Sequence, residues 1–283
     1  MNMASISVIV PTYRDADALL QTGRALCPQL QAMDELLIVD NGSPATDREA
    51  CARFAAEHAQ VAVKTLVCEA RGSYAARNLG ATQARGDILA FTDAGCVPAT
   101  GWLEAFRTHF DDHPDSRVTG PIEMTYRLAM PSLVELVDAR MHLNQDGYAS
   151  QGWAATANMA IRRDVFAQLG GFNAQLQSGG DYEFGLRAMA AGHDIGWAPQ
   201  MVVQHAARGT ARELLKKRRR VRAGHQQVKA LPGFAAMLDK ALQASAQRSL
   251  PAPQRIYPPM SQLRWQLGRI AFRLVREVEA RLP

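Results

Sequence analysis

The chain has little cysteine: four residues in 283, widely spaced and without a C-x-x-C pair, which excludes a zinc ribbon and a disulfide framework. Cys27, Cys51, Cys68 and Cys96 are expected to be reduced thiols of a cytoplasmic protein. No run approaches the ~18 uninterrupted apolar residues of a membrane span. A basic N-terminal region followed by a long apolar one is missing too. The first apolar run, Ile6 to Val10, stops at Pro11 and reads as a strand rather than a signal peptide. There is no internal repeat and no low-complexity segment. Acid is scarce only at the end of the chain. Residues 206–283 carry 17 Lys/Arg against 4 Asp/Glu, whereas residues 1–205 carry 15 against 23. The overall charge of +5 therefore hides an acidic body joined to a basic tail that suits an anionic partner. The acidic body argues against a broad nucleic-acid footprint.

What is present is an ordinary globular composition, 47% apolar and 21% charged. Apolar runs at 6–10, 36–39, 61–67 and 88–91 alternate with helical spacing over 15–30, 47–58 and 73–84. That alternation predicts an α/β fold with a mostly parallel central sheet and helices on both faces. Later segments predict strands at 118–122, 156–161, 195–198 and 201–204, and helices at 133–143, 163–169 and 182–191. The polar stretch 144–153 reads as a loop long enough to act as a lid. The expected division is a catalytic-type domain over 1–230 and a basic helical extension over 231–283. Within the extension, the prolines at 251, 253, 258 and 259 mark an extended link, and 261–282 reads as an amphipathic helix. Its aliphatic stripe could dock on the body, pair with a second copy, or lie on an anionic membrane surface together with 212–222.

Several residues are placed where chemistry could occur. The run Ile88 to Phe91 delivers Asp93 to a strand end, and Leu36 to Val39 delivers Asp40 likewise. Open α/β sheets bind ligands at that edge, although a lone strand-end acid is often a turn former or a helix cap. Arg77, in Gly72-Ser-Tyr-Ala-Ala-Arg77-Asn78-Leu-Gly80, could meet an anion or bridge those acids. Asp181 and Glu183 follow Gly179-Gly180 and open a helix; one carboxylate could take a proton from an attacking hydroxyl, with Arg187 pairing with Glu183. His205, just past a strand, is a candidate metal ligand beside Asp93. Most cations of Lys216 to Arg222 are expected to face solvent, with some able to reach a diphosphate.

In order along the chain, Ser7-Val-Ile-Val-Pro-Thr-Tyr13, Val39-Asp-Asn-Gly-Ser43, the segment Gly72 to Gly80, Gly86-Asp-Ile-Leu-Ala-Phe-Thr-Asp-Ala-Gly95, Asn158-Met-Ala-Ile-Arg-Arg, Gly170-Gly-Phe172 and Gly180-Asp-Tyr-Glu together resemble family 2 glycosyltransferases of the GT-A fold. The resemblance covers about residues 5 to 225. It implies an inverting transfer from a nucleotide-diphosphate sugar, with uridine the expected base, to a glycan or lipid-linked acceptor, at the cytoplasmic side and peripheral to the membrane. It also implies Pro11, Thr12, Tyr13 and Asp40 around the nucleoside, Arg77 near base and diphosphate, and Asp93 on ribose and metal. Asp181 matches the catalytic base and His205 a ligand completing a Mg2+ or Mn2+ site. Trp153, Glu183, Arg187 and Arg208 are expected to support the acceptor side. One position departs from the pattern: Gly95 stands where the family's second motif aspartate belongs. Metal could be held by Asp93 and His205 with the diphosphate and water. Alternatively, basic groups could take over part of its role, or the protein could bind without transferring. A sugar nucleotidyltransferase fits less well, because Pro-Thr-Tyr-Arg14-Asp15 lacks the glycines of its first loop.

Overall fold

The computed structural model describes residues 4–141 and 143–245, with residues 266, 270 and 273 beyond them. The Pro-rich link and all but three positions of the helix expected over 261–282 lie outside the described residues. The first part runs β1 (Ile6–Thr12), α1 (Ala16–Leu26), β2 (Glu35–Asp40), α2 (Ala45–Glu57), β3 (Ala62–Val67), α3 (Ser73–Gln83) and β4 (Ile88–Thr92). Next come β5 (Cys96–Pro98), α4 (Trp102–Asp112), β6 (Arg117–Thr119), β7 (Ile122–Thr125), α5 (Leu133–Met141), α6 (Gln145–Ser150), β8 (Asn158–Arg162) and α7 (Arg163–Gln168). The last part is α8 (Gly180–Ala190), β9 (Ile195–Trp197), β10 (Val203–Ala206), α9 (Ala211–Lys229) and α10 (Phe234–Ser245).

The main sheet has the order β3-β2-β1-β4-β8-β6-β9. β3, β2, β1 and β4 are parallel, and β8 runs antiparallel to β4 and β6. Strands buried on both faces must be apolar at successive positions, which is why the runs of β1, β2 and β4 were readable in the sequence, whereas β3 is a half-exposed edge strand that alternates. Ile6, Val8 and Val10 pack on one side with Leu19, Phe54 and Trp102. Ile9, Leu37 and Phe91 pack on the other with Tyr74, Phe166 and Phe184. The strand order reverses between β1 and β4, so a crevice opens at their carboxyl ends. A smaller sheet, β5-β10-β7, lies beyond it and places His205 opposite Cys96.

Two expectations need correction. Residues 144–153 are not an open lid, because α6 forms there and Gln145 is only 2% exposed. The Gln145 amide donates to Thr119 Oγ1 at 2.7 Å and Asn158 O at 2.8 Å, and accepts from the Ala155 N–H at 3.0 Å. With every bond met, a polar side chain can be buried, so polarity alone misjudged this stretch. His205 lies within β10 rather than after a strand. The described part of the extension also packs on the body: Ala241, Phe234, Met237 and Leu238 of α10 cover Leu186 and Met189 of α8. All four cysteines are free and buried. Among the described residues no helix is long and apolar enough to cross a membrane.

Candidate active site

A cavity of about 690 Å³ opens at the carboxyl edge of the main sheet. It brings together Arg77, Asp93, Trp153, Asp181, His205 and Arg208. α3 links the two acids. Arg77, 4% exposed, donates to Asp93 Oδ1, while its guanidinium carbon lies 5.6 Å from the Tyr74 ring centre. One turn earlier on the same helix face, Tyr74 Oη donates to Asp181 Oδ1 at 3.2 Å. Gly180 makes this approach feasible, since a Cβ there would stand 2.7 Å from the Tyr74 ring. Asp181 also accepts the Tyr182 N–H at 3.0 Å at the start of α8. Desolvation raises the Asp181 carboxyl above the usual carboxylate range, although Arg77 and Tyr74 oppose the shift.

The other wall is fixed by backbone. Gly95, at φ +88°, donates its N–H to Ala18 O at 3.1 Å and Thr22 Oγ1 at 3.0 Å, and Thr22 Oγ1 donates to Cys96 O at 2.7 Å. α1 thereby pins the turn that carries Asp93. His205 Nδ1 is 2.8 Å from Ala206 O and must donate its proton there, which leaves the Nε2 lone pair free to accept. Burial, then Lys217, lowers the His205 pKa, and Asp93 opposes them, so the ring is the neutral form a metal needs. Arg208 is oriented by Asp138, itself fully buried, at 3.2 Å. Burial, followed by Arg208, lowers the Lys217 amine to about 8.

Other expected residues are placed differently. Pro11, Thr12, Tyr13 and Asp40 lie at the same sheet edge but do not line this cavity. Asp40 closes its own turn, accepting N–H groups of Gly42 at 3.3 Å and Ser43 at 3.2 Å. Tyr13 is exposed, and the buried Thr12 hydroxyl has no hydrogen-bond partner among the described residues. Glu183 and Arg187 do pair, at 2.8 Å, but stand apart from the cavity lining. Arg187 donates onward to Leu169 O and to Gly171 O at 2.8 Å, so the pair clamps the turn after α7 onto α8.

The model of glycosyl transferase family 2 matches residues 7–170, more than half of the chain. This chain belongs to that family. The related family group 2 model matches residues 102–268. This glycosyltransferase is 34% identical over 226 residues to glycosyltransferase AglE of Haloferax volcanii, across 79% of this chain and 73% of that protein. It is 25% identical over 232 residues to the pre-mycofactocin glycosyltransferase of Mycobacterium tuberculosis, across 75% of this chain and 45% of that one. The mannosyltransferase PcManGT from Pyrobaculum calidifontis, in complex with GDP-Man and Mn2+, shares its fold with a TM-score of 0.62 at 22% identity, over 85% of this chain and 72% of that one. S. aureus TarS 1-349 in complex with UDP-GlcNAc does so with a TM-score of 0.57 at 18% identity, over 73% and 59%. The fold is thus GT-A.

In this family 2 glycosyltransferase, sequence reasoning missed part of the cavity. Part of the basic stretch of α9 faces the cavity: Lys217 and Arg218 are half-buried there, and the exposed Arg220 and Arg222 also line it. Tyr148 stacks on Trp153 with ring centres 3.8 Å apart, and Tyr182 meets Trp153 edge-on at 5.3 Å. The signals were the four-residue spacing of Lys217, Val221, His225 and Lys229 and the three-residue spacing of Tyr74 and Arg77. Among the described residues no three His, Cys, Asp or Glu side chains form a metal cluster. Asp93 and the His205 Nε2 lone pair nevertheless fit a hard divalent ion that takes the rest of its shell from a diphosphate and water.

Proposed function

We propose that this protein transfers a sugar from a nucleotide-diphosphate donor, UDP-linked on family grounds, to an acceptor hydroxyl with inversion. The observation that carries the reading is Asp181: a desolvated carboxylate lining the same cavity as Asp93 and His205, held by Tyr74 and tuned by Arg77. Asp181 takes the acceptor's hydroxyl proton as the oxygen attacks the anomeric carbon opposite the diphosphate. The carbon–oxygen bond to the diphosphate breaks, its electron pair leaves with the nucleoside diphosphate, and the configuration inverts. A divalent ion held by Asp93 and His205 would supply charge neutralisation to that leaving group. Lys217 and Arg208 add fixed positive charge beside Asp93. The unpartnered Thr12 hydroxyl and the exposed Tyr13 ring sit at the sheet edge assigned to the nucleoside. The aromatic group around Trp153 faces the acceptor, a glycan or lipid-linked molecule at the cytoplasmic face of a membrane.

Replacing Asp181 with Asn is expected to abolish transfer from the preferred nucleotide sugar while leaving nucleoside-diphosphate affinity near that of the wild type. Full transfer by that variant would remove Asp181 as the base. Binding without transfer is a second reading, favoured by Gly95, which deprives the site of an acid. A panel of nucleotide sugars with and without Mn2+ separates the two, because a binding-only protein hydrolyses and transfers none of them.

A further inference from the structure

The turn between β7 and α5 holds apolar side chains in water. Leu128 is 73% exposed, Met130 62% and Leu133 47%, and Ala129 is exposed between the first two. The turn is nevertheless closed and braced. The buried Glu135 carboxylate accepts the Arg127 N–H at 2.9 Å and the Ser132 N–H at 2.7 Å, and Ser132 Oγ accepts the Glu135 N–H at 3.2 Å. The bonds between Ser132 and Glu135 form a capping box at the start of α5, and the Arg127 bond ties the far side of the turn to it. Pro131, between Met130 and Ser132, is buried. A buried carboxylate thus fixes the backbone that presents three large apolar side chains within six residues. Singly exposed apolar side chains need no partner, but a braced cluster rimmed by polar groups marks an interaction surface.

Cations rim this tip. The exposed Arg127 lies against Gly209, where a Cβ would stand 2.6 Å from the guanidinium carbon, and the Ala207 N–H donates to Thr125 O at 2.9 Å. The turn therefore adjoins the start of α9. From there Arg212, Leu215, Lys216 and Arg219 are all exposed, at the three- and four-residue spacing of one helix face. Glu213 is the one acid of α9, and its carboxylate is engaged with the Thr210 N–H at 3.3 Å. No acid stands between Glu123 and the buried Glu135. Resting on the membrane-face reading above but on none of its chemistry, we propose that this face docks on an anionic phospholipid surface. Leu128, Met130 and Leu133 enter the boundary between headgroups and acyl chains, while Arg127, Arg212, Lys216 and Arg219 meet lipid phosphates. Charge selects this occupant. Residues 246–283 carry seven arginines against two glutamates, and a symmetric second copy would present the same cations, so both would bring like charge. An anionic bilayer supplies both a negative surface and an apolar layer for the tip. Leu133 and Met141 lie at opposite ends of α5, about 12 Å apart along the helix, and Met141 lines the cavity. A bilayer at the turn is therefore one helix length from the candidate active site.

The test uses the full chain with vesicles of phosphatidylcholine, either alone or with about one third phosphatidylglycerol. The wild type should sediment with the anionic vesicles at low salt and far less with the neutral ones. Leu128→Ser combined with Met130→Ser should weaken that binding about tenfold or more, and Lys216→Gln combined with Arg219→Gln should do likewise. Both pairs change exposed side chains, so Tm and its rise with nucleoside diphosphate should keep their wild-type values. All four native cysteines are buried, so Leu128→Cys can be labelled selectively with an environment-sensitive dye. Its emission should shift to the blue on anionic vesicles and be quenched by spin-labelled acyl chains. The proposal is overturned if the wild-type chain ignores anionic vesicles, if the serine pair binds them as the wild type does, or if the dye stays in water while the protein is bound. It is overturned as well if the serine pair keeps vesicle binding and instead dissolves a wild-type dimer, which would assign the face to a second copy. A chain whose Tm responds to no nucleoside diphosphate would count against the transferase reading and leave the vesicle result standing.

Discussion

Lys217 offers a test in which folding and binding move in opposite directions. Its amine is partly buried on the cavity wall, faces Arg208, Arg220 and His205, and is offset by Asp138 and Asp93. Burial comes first among the causes that lower its pKa from 10.5 to about 8. That difference corresponds to roughly 3 kcal/mol spent on keeping the amine charged in the empty cavity. The sign follows from linkage. The unfolded chain holds the proton up to 10.5, so the charged amine opposes folding fully below about pH 8, less as pH rises from there, and not at all above 10.5. Lys217→Met keeps the packing of the stem and removes the charge. In metal-free, nucleotide-free buffer, urea denaturation near pH 7 should show the variant more stable by up to about 3 kcal/mol, and the gap should close by about pH 10. The same variant should bind nucleoside diphosphate about tenfold or more weakly, the loss expected for one charge-assisted contact. A variant less stable than wild type near neutrality, or a stability gap that does not change with pH, would refute the argument.

Three further outcomes follow from neighbouring groups. Asp181→Asn should raise Tm at alkaline pH and leave it unchanged at strongly acid pH. A carboxyl whose folded pKa lies above 3.8 opposes folding only once the pH passes that value, as a pH series of melting curves would show. Gly95→Asp should strengthen Mn2+ binding, read by Tm with and without the ion, yet lower metal-free stability by about 1–2 kcal/mol because φ is +88° there. Arg107→Met removes a buried partner of Asp34, both side chains being 3% exposed or less; it should lower Tm on the order of 10 °C in a thermal melt.

The centre of the sheet was legible because β1, β2 and β4, buried on both faces, leave uninterrupted apolar runs, and Asp93 was legible because such a run stops just before it. Asp181 and His205 were readable from their settings at a helix start and near a strand. α4 was not anticipated, although Trp102, Phe106 and Phe110 mark its buried side, because the aperiodic approach through β5 obscures its start. α6 was misjudged because a buried Gln145 looks like a loop residue until its partners are known. The inner face of α9 escaped for a general reason. A stripe of lysine and arginine has the same pattern whether it meets bulk water or a polar cavity, and only packing decides which. Glu183 and Arg187 were recognised as a pair and Asp40 as a turn former or nucleoside ligand, but whether such groups brace a turn or face a ligand depends on contacts distant in sequence.

α10 has a mechanical consequence. It grips the back of α8 through Leu186 and Met189, while the front of the same helix carries Asp181 at its first turn. Tension on the chain beyond residue 245, from a lipid surface or a second subunit, would reach α10 first and α8 next. Anchoring the C-terminus and positioning the proposed base are therefore one problem of leverage. A chain shortened at 230 would lose the grip, expose an apolar strip, and leave α8 held by the Tyr74 contact, the buried Phe184 and the Arg187 clamp alone.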